Sequence, residues 1–77
     1  MTITELTNRH SNLRSNCFFD EDRVTEVFSK PSGEVVAIAH TLDKTAEEPK
    51  MSSEFKKIGS VERPTSGEIT YFYEKVK

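Results

Sequence analysis

Two turn sequences constrain this chain more than any other feature. Pro31-Ser32-Gly33 and Pro64-Thr65-Ser66-Gly67 favour tight turns, because proline fixes φ and glycine accepts positive φ. With Pro49 and Gly59 they divide the chain into N-terminal, middle and C-terminal pieces. Since 77 residues seldom carry two hydrophobic cores, we predict one domain over residues 1–77, with a core over 20–75.

Composition excludes several classes of protein. A net charge of -2 argues against a strongly basic, non-specific nucleic-acid binder and against a polybasic membrane-surface peptide. No apolar run approaches the roughly 18 residues that a membrane span needs, and Met1–Glu5 lacks the features of a signal peptide. We therefore predict a cytoplasmic protein with no membrane partner.

The N-terminal piece has the apolar spacing of a short helix. Apolar residues and one histidine recur at three- and four-residue steps, and Thr2 and Glu5 stand in capping-box register before them. The spaced residues are Ile3, Leu6, His10 and Leu13. This pattern predicts a helix over about 3–14, within an N-terminal helix or arm of residues 1–16.

The middle piece fits two kinds of secondary structure. Arg23–Phe28 follows a good N-cap, Asp20, and has a helical stripe, but it is also β-branched and nearly alternating. Val35–Leu42 is a continuous apolar run, and periodicity alone cannot assign so short a run. As strands, the two segments would pair across Pro31-Ser32-Gly33; as helices, each would bury one stripe.

The C-terminal piece predicts a helix followed by a β-hairpin. Met51, Phe55 and Ile58 mark one helical face between Pro49 and Gly59. Residues 60–74 then read as two strands around the second turn sequence, the second rich in aromatic and β-branched residues. We expect Phe72, or the tyrosines on either side of it, to fill the core.

Helices over the middle piece would give three helices and then a hairpin, an order that resembles the winged helix-turn-helix domains of DNA-binding regulators. The resemblance rests on Val35–Leu42, Met51–Val61 and Glu62–Tyr73, which would be scaffold helix, recognition helix and wing. It implies an α+β, winged-helix-like fold of three short helices plus a C-terminal β-hairpin. The alternative α+β fold is an N-terminal helix packed on a four-stranded antiparallel β-meander.

The first functional hypothesis is a small regulatory protein that binds duplex DNA, as a dimer because one module would make few phosphate contacts. The recognition helix and wing would supply hydroxyl and basic side chains to bases and phosphates. These residues are Lys50, Ser52, Ser53, Lys56, Lys57, Arg63, Thr65 and Ser66.

The second hypothesis is a small acidic inhibitor or adaptor that binds a basic protein partner through an acidic face or a sheet edge. Two acidic clusters motivate it, formed by Asp20, Glu21 and Asp22 and by Glu47 and Glu48.

No pattern of catalytic or metal-binding residues stands out. His10 and His40 do not pair with Cys17 or with acids at any metal-site spacing, and we expect Cys17 to lie under the edge of the core. A chain of this length leaves little room for both a pocket and a core. The sequence therefore predicts a non-enzymatic protein without a metal or cofactor.

Overall fold

The computed structural model describes residues 8–10 and 12–77 as an antiparallel β-sheet of five strands. The strands follow one another along the chain, but their order in the sheet is β1-β2-β3-β5-β4. Their bounds are β1 Arg14–Phe19, β2 Arg23–Ser29, β3 Val35–Asp43, β4 Phe55–Arg63 and β5 Glu68–Lys75.

The predicted three-helix, winged-helix-like fold is wrong. Both middle segments are extended and pair with each other, with Val27 opposite Ile38. The Met51–Val61 segment, predicted to hold the recognition helix, is a connection that runs into β4 at Phe55. A continuous apolar run suits a strand that is covered on both faces, whereas a helix of the same sequence would bury one stripe.

The alternative fold also differs from the structure, although it shares the antiparallel sheet. The sheet has five strands, and β5 lies between β3 and β4, so the order is not a meander. The extra strand is β1, which begins at Arg14 inside the predicted N-terminal arm. Of the predicted helix over 3–14, residues 3–7 and 11 lie outside the described residues.

The predicted C-terminal hairpin is confirmed. β4 and β5 pair antiparallel, and Arg63 faces Glu68 across the turn. Gly67 has a φ of 70° in that turn, and Gly33 has a φ of 95° between β2 and β3. Residues that carry a Cβ rarely adopt these positive φ values. The two glycines therefore allow the turns that the sequence indicated.

The core lies along β3, the middle strand of the sheet. The buried apolar side chains among the described residues are Val36, Ala37, Ala39, Leu42 and Tyr73, and four of these five are on β3. Because β3 has a paired neighbour on each side, its side chains are shielded laterally as well as from above.

Residues that face each other across paired strands lie on the same side of the sheet, and the sides alternate along each strand. One side, the tyrosine face, carries Tyr71, Tyr73, His40 and Leu42. The other, the phenylalanine face, carries Phe28 and Phe72 opposite Ala37 and Ala39. Leu13 and Phe28 pack against the buried Val36–Ala37 pair.

The connection between β3 and β4 crosses the tyrosine face. It has to pass over β5, because β5 separates the two strands that it joins. Glu48 in this connection forms an ion pair with Lys57, which lies opposite Tyr73 and places its ammonium 4.9 Å from the centre of the Tyr71 ring. The connection therefore covers the tyrosines from one side.

The helical content of the described residues is too small for a membrane-spanning helix, and no candidate span is found among them.

His40 should make stability depend on pH. Its ring is hydrogen-bonded to the Thr25 hydroxyl at 3.0 Å and packs edge-on against Tyr73. Burial, and then the positive charge of Arg23, lower the pKa of His40 below its ordinary value of 6.5. The unfolded chain therefore takes up the proton at a higher pH than the folded protein, and stability falls as the pH drops below 6.5.

Thermal unfolding at several pH values between 7.5 and 5.0 tests this expectation, since carboxylates titrate mostly below that window. His40→Gln should reduce the loss of Tm across the window. An equal pH dependence in the wild type and His40→Gln would contradict the assignment.

Candidate protein-binding surface

The first strand, β1, lies at one end of the sheet and has a side without a described partner. It pairs with β2 over six consecutive residues with no register shift. All six of its residues are exposed. An edge strand of this kind presents a row of backbone N–H and C=O groups to another chain.

The outward backbone groups belong to Ser15, Cys17 and Phe19. The Asp20 N–H donates to the Arg23 carbonyl at 2.9 Å and closes the β1–β2 hairpin. Backbone groups in an antiparallel pair alternate between partner and outer edge, so those of Asn16 and Phe18 point to β2 with Asp20. Among the described residues, no backbone hydrogen bond outside the sheet ladders uses the three outward-facing amides.

The opposite edge, β4, is protected against such pairing. It carries Lys56, Lys57 and Arg63, and its register with β5 shifts between Lys57 and Gly59. Charges and bulges on an edge strand oppose strand addition. β1 has one charged residue, Arg14 at its first position, and it has neither lysine, proline nor a bulge.

Two aromatic side chains of β1 are exposed to solvent. Phe18 is 54% exposed and Phe19 is 79% exposed. They are neighbours in sequence, so they lie on opposite faces, with Phe18 opposite Thr25 and Phe19 opposite Val24. A strand added to β1 would therefore meet an apolar ring on each face of the sheet.

An acidic groove lies at the end of β1. It comprises the β1–β2 turn, the end of β3 and the start of β5, and Asp43 and Glu68 face each other there. Five acidic residues and one basic residue line it: Asp20, Glu21, Asp22, Asp43, Glu68 and Arg23. The sequence predicted the first three acids. It did not indicate Asp43 and Glu68, because only the pairing of β3 with β5 brings them to this turn.

Local hydrogen bonds lower the pKa of two of these acids. The Arg23 guanidinium donates to Asp22 at 3.2 Å and lowers the pKa of that carboxyl. The Thr45 hydroxyl and N–H donate to Asp43 at 2.6 and 2.9 Å and lower its pKa as well. Asp22 and Asp43 therefore keep their negative charge to a lower pH than ordinary aspartates do.

The second acidic cluster lies elsewhere. Glu47 and Glu48 are in the β3–β4 connection, and neither lines the acidic groove. Glu48 is paired with Lys57 across the tyrosine face. The two predicted acidic clusters thus do not form one face, and Glu48 forms an ion pair with Lys57 outside the groove.

The residues predicted to contact DNA are dispersed. Lys56 and Lys57 are consecutive in β4 and point to opposite faces. Lys56 and Arg63 are seven residue steps apart along the extended strand, which is about 23 Å. Lys50, Ser52 and Ser53 are exposed in the β3–β4 connection, and Thr65 and Ser66 are exposed in the β4–β5 turn.

No group of three potential metal ligands is found among the described residues. Cys17 is exposed on β1, so its predicted place under the core edge is wrong. The structure places it at the middle of the outward backbone groups instead.

A comparison of the chain with protein families, characterised proteins and solved structures found no match to it. The features that indicate a function are therefore the geometry of β1 and the acidic groove.

Proposed function

We propose that this protein is a non-enzymatic binding module that captures an extended segment of a basic protein by strand addition to β1. The observation that carries the proposal is the row of outward backbone groups at Ser15, Cys17 and Phe19 on an unprotected edge. Main-chain hydrogen bonds give affinity in this mode of recognition, and side chains beside the added strand give specificity. An adaptor or a competitive inhibitor would both use such an edge.

The neighbouring charges indicate the kind of segment. The acidic groove carries five carboxylates and one guanidinium at the Phe19 end of β1. Charge complementarity speeds association and rejects partners of the wrong sign. A segment with alternating β-branched residues and lysine or arginine at one end fits this surface, and an acidic segment of the same shape does not.

We also propose a cytoplasmic location, supported by the exposed thiol of Cys17. A free, exposed cysteine suits a reducing compartment better than an oxidising one.

Duplex DNA binding stays a prediction of the sequence. The helix that would have entered the major groove is a connection and a strand, and Lys56 and Lys57 point to opposite faces of the sheet. No geometry of the described residues favours it over the strand-addition proposal.

Amide hydrogen exchange at low protein concentration tests the proposed function with two synthetic peptides. Both peptides alternate valine and threonine, one with terminal lysines and the other with terminal glutamates. At ten times its dissociation constant, the basic peptide should slow exchange at Ser15, Cys17 and Phe19 about tenfold. Exchange at Asn16 and Phe18, which already bond to β2, should change little.

Phe18→Lys and Val61→Lys form a matched pair, because both side chains are 54% exposed but lie on opposite edges. The substitution on β1 should weaken basic-peptide binding, and the one on β4 should not. Protection of all amides alike, or of none with either peptide, would overturn strand addition. Equal protection by both peptides would overturn the selection of a basic partner.

A further inference from the structure

We propose that β1 pairs with the β1 of a second copy of this chain, in an antiparallel register centred on Cys17. This inference rests on the proposed function, because it assigns an occupant to the same edge. The pairing joins two sheets into one of ten strands, and it hides the edge from other partners.

Symmetry limits the possible registers. Two strands of one continuous sheet that pair antiparallel about a two-fold axis are related by an axis perpendicular to the sheet. Facing side chains must then share a face, so one residue has to lie opposite its own copy. For β1 that residue is Asn16, Cys17 or Phe18, since a centre nearer either end leaves little of the strand paired.

The outward backbone groups select Cys17. In a register centred there, Ser15 faces Phe19 of the second copy, and Cys17 faces Cys17. All three outward residues of each strand then find partners within the strand. A centre at Asn16 places Phe19 opposite Leu13, and a centre at Phe18 places Ser15 opposite Glu21, both outside β1.

Charge supports the same register. Arg14 at the start of β1 comes to lie opposite Asp20, which follows the strand's last residue. The two-fold axis repeats this contact, so two opposite-charge pairs flank the interface. Opposite charges across an antiparallel pair stabilise it, and like charges destabilise it.

The same register also reduces the solvent exposure of an aromatic ring on β1. Phe18, which is 54% exposed, lies opposite Asn16 of the second copy and diagonal to its Phe18. Diagonal neighbours in an antiparallel pair are about 7–8 Å apart, within reach of aromatic rings. Self-pairing therefore shields both copies of Phe18 on the tyrosine face.

A charge-swap cycle read by sedimentation velocity tests the inference. Arg14→Glu and Asp20→Arg should each weaken the wild-type dimer roughly tenfold, because each places like charges together at both ends of the interface. The double variant should restore the dimer. Lys50→Glu makes the same charge change as Arg14→Glu in the β3–β4 connection and should leave the dimer unchanged.

Disulfide formation under mild oxidation with copper phenanthroline reports the register. Facing residues in a hydrogen-bonded antiparallel pair have Cα atoms about 5.5 Å apart, a separation that a disulfide can span. Cys17 should therefore cross-link rapidly. Single-cysteine variants that carry Cys17→Ser with Asn16→Cys or Phe18→Cys should cross-link slowly, because those residues are offset from their own copies.

The outcomes separate this inference from the proposed function. A monomer at all concentrations, or fastest cross-linking away from residue 17, overturns self-pairing, and the peptide experiment still decides strand addition. A dimer that the charge cycle confirms, and that no concentration of basic peptide displaces, supports strand addition by self-pairing and overturns a basic segment as the partner of this edge. Displacement of the dimer by the basic peptide supports both.

Discussion

Replacing Leu42 with alanine is expected to lower the free energy of unfolding by about 2–5 kcal/mol. Leu42 is 3% exposed on the tyrosine face of the middle strand, opposite Arg23 on β2 and Ile69 on β5. Strands on both sides hold the backbone in place, so the site cannot collapse to fill the space. A small domain has little more stability than this to lose.

Urea denaturation of the wild type and Leu42→Ala measures the difference. Val61→Ala is the matched control, because Val61 is 54% exposed on the edge strand β4. The control should change the unfolding free energy by no more than about 0.5 kcal/mol. Equal losses for the two variants would show that β3 is not the centre of the core.

Two substitutions at Tyr73 should separate the contribution of its ring to stability from that of its hydroxyl. The side chain is 3% exposed, and its hydroxyl has no hydrogen-bond partner among the described residues. Tyr73→Ala removes the ring and should cost about 3–5 kcal/mol, as for other large aromatic side chains. Tyr73→Phe removes only the hydroxyl and should leave stability unchanged or raise it by about 1 kcal/mol.

The dependence of stability on pH above 10 tests the role of Tyr73 independently. Burial, with smaller effects from Glu48 and Tyr71, raises the pKa of Tyr73 from 10.0 to about 12. The unfolded chain therefore loses this proton first, and stability falls as the pH rises above 10. Tyr73→Phe should reduce that fall, and a clear loss of stability in Tyr73→Phe at neutral pH would contradict the assignment.

The predicted core was partly misplaced. Phe72, one of the residues predicted to fill the core, is only half-buried. Tyr73, one of the two tyrosines considered, is buried instead. The alternation of β5 separated Phe72 from the tyrosines correctly, but it could not show that the β3–β4 connection covers the tyrosine face.

Half of the candidate surface could be found in the sequence. Asp20, Glu21 and Asp22 were visible as a cluster because they are consecutive. The sequence did not indicate β1. Ser15 and Asn16 fell at the end of the predicted N-terminal helix or arm, and asparagine in particular is disfavoured in strands. β1 forms through its six paired residues on β2, and local propensity carries no trace of that pairing.

The sequence by itself determined the β2–β3 turn, the β4–β5 turn and the C-terminal hairpin, because proline and glycine act through the local backbone. It did not determine whether the two middle segments form helices or strands, because short apolar runs fit both the helical and the strand periodicity. Only the tertiary structure decided that, by placing β5 beside β3 and so covering the middle strand on both sides. The same placement left β1 at an open edge and gathered Asp43 and Glu68 beside it, since those contacts join residues far apart in the chain.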